Sequence, residues 1–177
     1  MGLSLKRQNS KLSRAACLFA LTYSLVAVIA MALCLIIAHF SGYRTDTVHP
    51  WIVDLVLLGV MGYAVIAYKK NPISNHVVNT RQAYLFCVLI GVAAAILYFI
   101  FAGLYIDWIR PELPLEYVEY HINLMDTGDI SDTEKIANRQ ILAQVKPWGL
   151  AFIAFQELFL ISALAPLILS IFVRSER

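Results

Sequence analysis

Four apolar stretches, Ala15–Phe40, Trp51–Tyr68, Ala83–Ile106 and Trp148–Val173, occupy more than half of the 177 residues. They hold 26, 18, 24 and 26 residues, against the roughly 20 a helix needs to cross a hydrocarbon core about 30 Å thick. Inside them stand two acids, Asp54 and Glu157, and neither lysine nor arginine. In lipid every backbone N–H and C=O has to be satisfied within the structure, which leaves only helices or a closed barrel. Barrel strands alternate apolar and polar residues over about ten positions, and these uninterrupted runs do not. The expected fold is an all-α membrane protein, a single bundle with four transmembrane helices.

Hydrophobic residues form 60% of the chain and charged ones 15%, where soluble domains carry about 25% charge. The length holds one small bundle and no separate soluble domain. A formal charge of +2 is too small to point to nucleic acid, and the bases lie in short clusters beside the spans. Membrane anchoring explains them, with the lipid bilayer as the first partner. Cys17, Cys34 and Cys87 all fall inside spans; an odd count without loop cysteines argues against a disulfide framework. Ala15–Phe40 is far longer than the 7–15-residue apolar core of a cleaved signal peptide. Bulky Leu33 also spoils a lipoprotein-type site at Cys34. The first stretch therefore reads as a retained helix.

Charge sets an expected orientation. Residues 1–14 carry Lys6, Arg7, Lys11 and Arg14 and no acid, while the connection after span two carries Lys69, Lys70 and Arg81. Arg44 and Asp46 cancel in the connection 41–50, and the long connection 107–147 holds eight acids against four bases. Lysine and arginine near span ends mark the cytoplasmic side, which places both termini in the cytoplasm. Trp51, Trp108 and Trp148 then fall together at the opposite face, where indole favours the headgroup layer.

The connection 107–147 is not a simple turn. Leu115, Val118, Ile122 and Met125 recur at helical spacing, and Pro114 suits a first helical position. Gly128-Asp129 reads as a break. Ser131-Asp132-Thr133-Glu134 is a capping box, followed by an apolar stripe of Ala137, Ile141 and Val145. Two amphipathic helices, Pro114–Asp126 and Asp132–Val145, are expected against the outer membrane face or the bundle mouth. Within the spans, Gly91 with Ala95 and Gly59 with Gly62 mark possible close helix contacts. Pro166 removes a hydrogen bond to Ser162, which predicts a kink.

Glu157 is the most informative polar residue. It lies nine residues beyond Trp148, roughly 13 Å below the interface at about 1.5 Å per residue. A charged carboxylate at that depth costs at least ~2.5–3.5 kcal/mol. It is expected inside the bundle or at a subunit interface, hydrogen-bonded with help from Gln156 and, by depth, Tyr98 and Tyr63. One reading makes it a proton or cation site; the other makes it a protonated acid tying helices together. Nearer the surface, Asp54 is expected to form an ion pair with His39 and Arg44, with Lys146 also in reach.

The spacing of His39, His49 and His121 matches no metal-ligand motif. Asp126, Asp129 and Asp132 lack the alternation of a calcium loop. The chain has no H-E-x-x-H, G-x-S-x-G, C-x-x-C or phosphate-cradling glycine loop. No catalytic residue, metal or cofactor is therefore assigned, and the chain is expected not to be an enzyme.

Arg81-Gln82-Ala83-Tyr84 through Gly91, and Ile106-Asp107-Trp108-Ile109-Arg110-Pro111-Glu112-Leu113, resemble the two ends of span three in a bacterial integral membrane family, domain of unknown function 4199. The order of spans, with the longest connection before the last, is similar to that family's. The resemblance implies an inner-membrane protein of unknown function and brings no site residues with it. The role expected on these grounds is structural, assembly or accessory, with itself or another membrane protein as partner. The alternative is a small proton- or cation-coupled transporter using Glu157.

Overall fold

The computed structural model describes residues 14–41, 51–71, 80–127, 131–142 and 144–172. Among these it contains six helices and no strand: α1 (Arg14–Phe40), α2 (Trp51–Lys70), α3 (Thr80–Trp108), α4 (Leu113–Thr127), α5 (Asp132–Leu142) and α6 (Pro147–Phe172). The helices α1, α2, α3 and α6 are long and apolar enough to cross a membrane. Pro147 opens α6, where its missing N–H has no intrahelical partner to lose.

The first helix buries mainly small residues and presents large ones. On α1 the buried stripe is Ala16, Ala20, Ser24, Ala27 and Met31, while Leu18, Leu25, Ile29, Leu33 and Ile37 are exposed. Lipid tails are as apolar as leucine, so burying leucine between helices gains little. Close backbone approach and dense packing hold membrane helices together instead.

The centre of the bundle is α3, which packs most extensively on α6 and then on α1 and α2. It runs parallel to α1, bringing Ser24 over the carbonyl of Ile90, at 3.1 Å from Oγ. Both α2 and α6 run antiparallel to it. Tyr68 stacks on Phe86 with ring centroids 4.6 Å apart, and Trp148 lies against Gly103. Trp51, Trp108 and Trp148 therefore share one end of the bundle, and Arg14, Lys69, Lys70 and Arg81 the other.

The α3–α6 seam is closest at Gly91. A Cβ there would lie 2.5 Å from Ser162 Oγ and 3.1 Å from its Cα. The buried Ser162 hydroxyl donates back to the Leu158 carbonyl at 2.6 Å, one turn before Pro166, which lies inside the helix. A second contact forms at Gly103, where a Cβ would meet the Trp148 ring at 2.5 Å. By contrast, nothing stands within 4 Å of a Cβ at Gly59, and only Leu169, at 3.9 Å, near one at Gly62. Of the two glycine pairings marked in the sequence, only the one containing Gly91 is a close approach.

Both connecting helices form, capped as the sequence indicates. Ser131 Oγ lies 2.9 Å from Glu134 Oε2, and the Glu134 N–H reaches Ser131 Oγ at 3.4 Å. The bundle takes up α4 through buried Pro114 and the packed side chains of Leu113 and Tyr117. Shorter than expected, α5 ends at Leu142, and the Val145 N–H donates to the Leu142 carbonyl at 3.0 Å. Its tie is to α4, through Arg139 Nη2 on Asp126 Oδ1 at 2.7 Å, and Ile136 is left 59% exposed.

Candidate functional site

Two polar groupings stand out, one at the tryptophan-bearing end and one along α6. The first is built on Arg110. As α3 ends, the N–H groups of Ile109 and Arg110 both donate to the Tyr105 carbonyl, at 2.9 and 3.1 Å. Pro111 cannot continue the helix, and the Arg110 carbonyl accepts from Leu113 N at 3.1 Å as α4 begins. That turn holds the guanidinium against three elements. Nη1 meets His39 Nδ1 at the end of α1, and Nε pairs with Glu112. Nη2 donates to both carboxylate oxygens of Glu116 on α4, at 3.1 and 3.0 Å.

Arg110 is only 18% exposed while both glutamates are 49% exposed. The cluster is thus a latch that ties α1, α3 and α4 around one cation. Nη2 alone reaches both Glu116 oxygens, and it is the spread of the planar guanidinium's three nitrogens over Glu116, His39 and Glu112 that a lysine could not reproduce. The His39 ring also stands nearly perpendicular to that of Tyr105, with centroids 6.1 Å apart. To accept from Arg110, the histidine has to be neutral. We expect His39→Gln to keep the latch and His39→Arg, which sets two cations together, to open it. Faster protease cleavage of the α3–α4 turn in the arginine variant alone would show this.

The Glu112 carboxyl is held below its ordinary value of 4.5, first by its own backbone N–H and then by Arg110 and His39, with burial opposing. A carboxylate of lowered folded pKa contributes fully above its unfolded value and loses that contribution as pH falls through the folded one. The Glu112 contribution should therefore fade as pH falls below about 4.5, and Glu112→Gln should remove that part of the acid response. Protease sensitivity of the turn measured across acid pH reads both.

The residues singled out in the sequence are not gathered into one site. Tyr98 is fully buried on α3, whereas Tyr63 is 64% exposed on α2, its ring 6.0 Å from that of Tyr23. Asp54 is half-buried and lies within electrostatic range of Tyr98. His39 meets Arg110 rather than Asp54, so the expected His39–Asp54 pair is replaced by the latch. Arg44 and His49 fall outside the described residues.

Gln156 and Glu157 are both exposed on α6; of the two positions expected for Glu157, the bundle interior and a subunit interface, the single chain does not place it in the first. The stripe that α6 packs inward is Leu150, Ala151, Ala154, Leu158, Ser162 and Pro166. At about 100° per residue, Glu157 falls on the flank of that stripe and Gln156 nearly opposite it.

Tyr117 on α4 lies within electrostatic range of Glu157. Burial first, and then the Glu157 charge, push the Tyr117 hydroxyl above its ordinary value. The Tyr117 ring packs on His121 with centroids 4.1 Å apart, and His121 Nδ1 lies 2.9 Å from the Tyr117 carbonyl. Arg110 and Tyr117 are the two residues whose roles the sequence did not reveal. A lone arginine in an Arg-Pro-Glu step directly after a span was the available signal for the first. Among the described residues no three His, Cys, Asp or Glu side chains group as metal ligands.

Four long apolar helices, three of them arranged around α3, define a multi-span α-helical membrane protein. The chain belongs to the family described as protein of unknown function (DUF4199), whose profile matches residues 18–175. No curated protein and no solved structure shows a significant match.

Proposed function

We propose that the protein is a non-enzymatic structural, assembly or accessory component of a bacterial inner membrane, working through lateral contacts of its bundle. The position of Gln156 and Glu157 on the exposed side of α6 supports this reading. Transported ions or protons need ionisable groups facing the bundle interior or a water-filled cavity. The buried hydroxyls of Ser24 and Ser162 are instead engaged with helix carbonyls. Wild-type protein in vesicles containing a pH-sensitive dye, under an imposed potential, should show the same proton flux as Glu157→Gln. A flux that Glu157→Gln abolishes would replace the accessory role with transport.

That second reading, a small proton- or cation-coupled transporter, draws support from Tyr117, within electrostatic range of Glu157, and from His121 packed on the Tyr117 ring. For the orientation we propose cytoplasmic termini, supported by the basic residues at the end remote from the tryptophans. In a background without native cysteines, Thr127→Cys should react with an impermeant thiol reagent on intact cells, and Asn9→Cys and Asn75→Cys should not. Reaction at Asn75→Cys would reverse the orientation.

A further inference from the structure

We propose that the end of the bundle remote from the tryptophans binds an acidic phospholipid, its phosphate held among Arg14, Lys70 and Arg81 where α1, α2 and α3 meet. The site goes beyond the accessory role and does not depend on it. Positions 1–45 and 55–106 contain no acid, so the helix ends that carry Arg14, Lys69, Lys70 and Arg81 bring no carboxylate of their own. The one acid that the order of spans sends to this end, Glu176, stands between Arg174 and Arg177. Arg14, Lys70 and Arg81 are exposed and make no hydrogen bond or ion pair among the described residues.

The fold makes these cations converge. Phe19 of α1, Tyr68 of α2 and Phe86 of α3 pack ring to ring. Their centroids lie 5.9 Å apart for Phe19–Tyr68, 6.1 Å for Phe19–Phe86 and 4.6 Å for Tyr68–Phe86. Arg14 and Arg81 each stand five residues beyond the ring of their own helix, about 7.5 Å along two parallel axes. Lys69 and Lys70 follow Tyr68 directly. The cations therefore form a rim over one aromatic floor, and without a counter-charge they repel one another. Depth selects the anion. Lys69 lies 18 residues from Trp51, about 27 Å along the helix, and Arg81 lies 27 residues from Trp108, about 40 Å. The hydrocarbon core is about 30 Å thick and the bilayer with its headgroups about 40–45 Å. The rim thus falls in the phosphate layer opposite the tryptophans, where the anion fixed at that height is a lipid phosphodiester. A zwitterionic lipid carries an ammonium that competes for its own phosphate, and an acidic lipid does not. Basic pockets between spans hold acidic headgroups on this ground.

Native mass spectrometry of the full chain, released from bilayers of equal phosphatidylglycerol and phosphatidylcholine, reads the lipid that each chain retains. The wild type should retain phosphatidylglycerol over phosphatidylcholine by more than about tenfold. Arg14→Gln, Lys70→Gln and Arg81→Gln should each cut that preference about fivefold, and the triple variant should abolish it. Arg81→Lys, which keeps the charge, should hold most of the preference and so separates lost charge from lost fold. Lys135→Gln, at the tryptophan-bearing end, should hold all of it. Excess glycerol phosphate should not displace the lipid. Equal retention of the two lipids, a preference unchanged in the triple variant, an equal loss in Lys135→Gln, or displacement by glycerol phosphate would each overturn the site.

Discussion

Tyr98→Ala is expected to destabilise the bundle by about 3–5 kcal/mol, the range for removing a large aromatic side chain from a packed core. Tyr98 heads the fully buried side chains by volume, at 0% exposure, and sits midway along the helix that touches the other three spans. Its ring faces Phe101 at 6.1 Å between centroids. In a bilayer the hydrophobic term between helices is small, so what is lost is dispersion against close neighbours and the shape that held them. Tyr98→Phe keeps that shape and removes only the hydroxyl, so its effect should be much the smaller. Unfolding of the purified protein in mixed micelles, followed by helical circular dichroism, should separate the two variants. Equal losses would mean that the ring itself contributes nothing.

Gly91→Val is the second large effect. The first added atom would already stand 2.5 Å from Ser162 Oγ and 2.6 Å from its Cβ. Ser162 is fully buried and cannot swing aside without moving the α6 backbone. Overpacking of this kind costs about 1–3 kcal/mol, and valine, with two further methyls, belongs at the upper end. The clash is pairwise, so Ser162→Gly should recover part of the loss when combined with Gly91→Ala. Gly59→Val, which points into open space, should stay within about 0.5 kcal/mol of wild type. If the Gly59 and Gly91 variants unfold alike in the same assay, the close α3–α6 approach is not what holds the seam.

The spans were legible because length in hydrocarbon is a one-dimensional requirement that composition meets or fails. The capping box at Ser131 and Glu134 was legible for a similar reason, since both partners lie within one turn. Rotation about the helix axis was not. A soluble helix shows its buried face by being apolar there, but α6 is apolar all round, and lipid and neighbouring helix accept the same side chains. The depth of Glu157 could thus be counted from Trp148, whereas its facing the flank beside Tyr117 could not. The informative pattern in such a span is size. Ala16, Ala20, Ser24 and Ala27 trace the inward stripe of α1 by being small, and Gly91 does so on α3. The Arg110 latch needed one further fact, the parallel register of α1 and α3 that sets His39 beside residue 110. No local pattern encodes that.

The dependence of α6 on α3 bears on how the chain is made. While the ribosome is still synthesising α4 and α5, the three earlier spans can already associate, but the face of α3 that carries Gly91 and Gly103 has no neighbour in the chain. Notched by its two glycines, that face stays open to lipid, or to membrane chaperones and proteases, until Pro147–Phe172 is inserted. The two small helices between set the length of the delay. A chain stopped at Lys146 would keep its first three spans and expose this unfilled groove permanently, which makes it a ready target for membrane quality control.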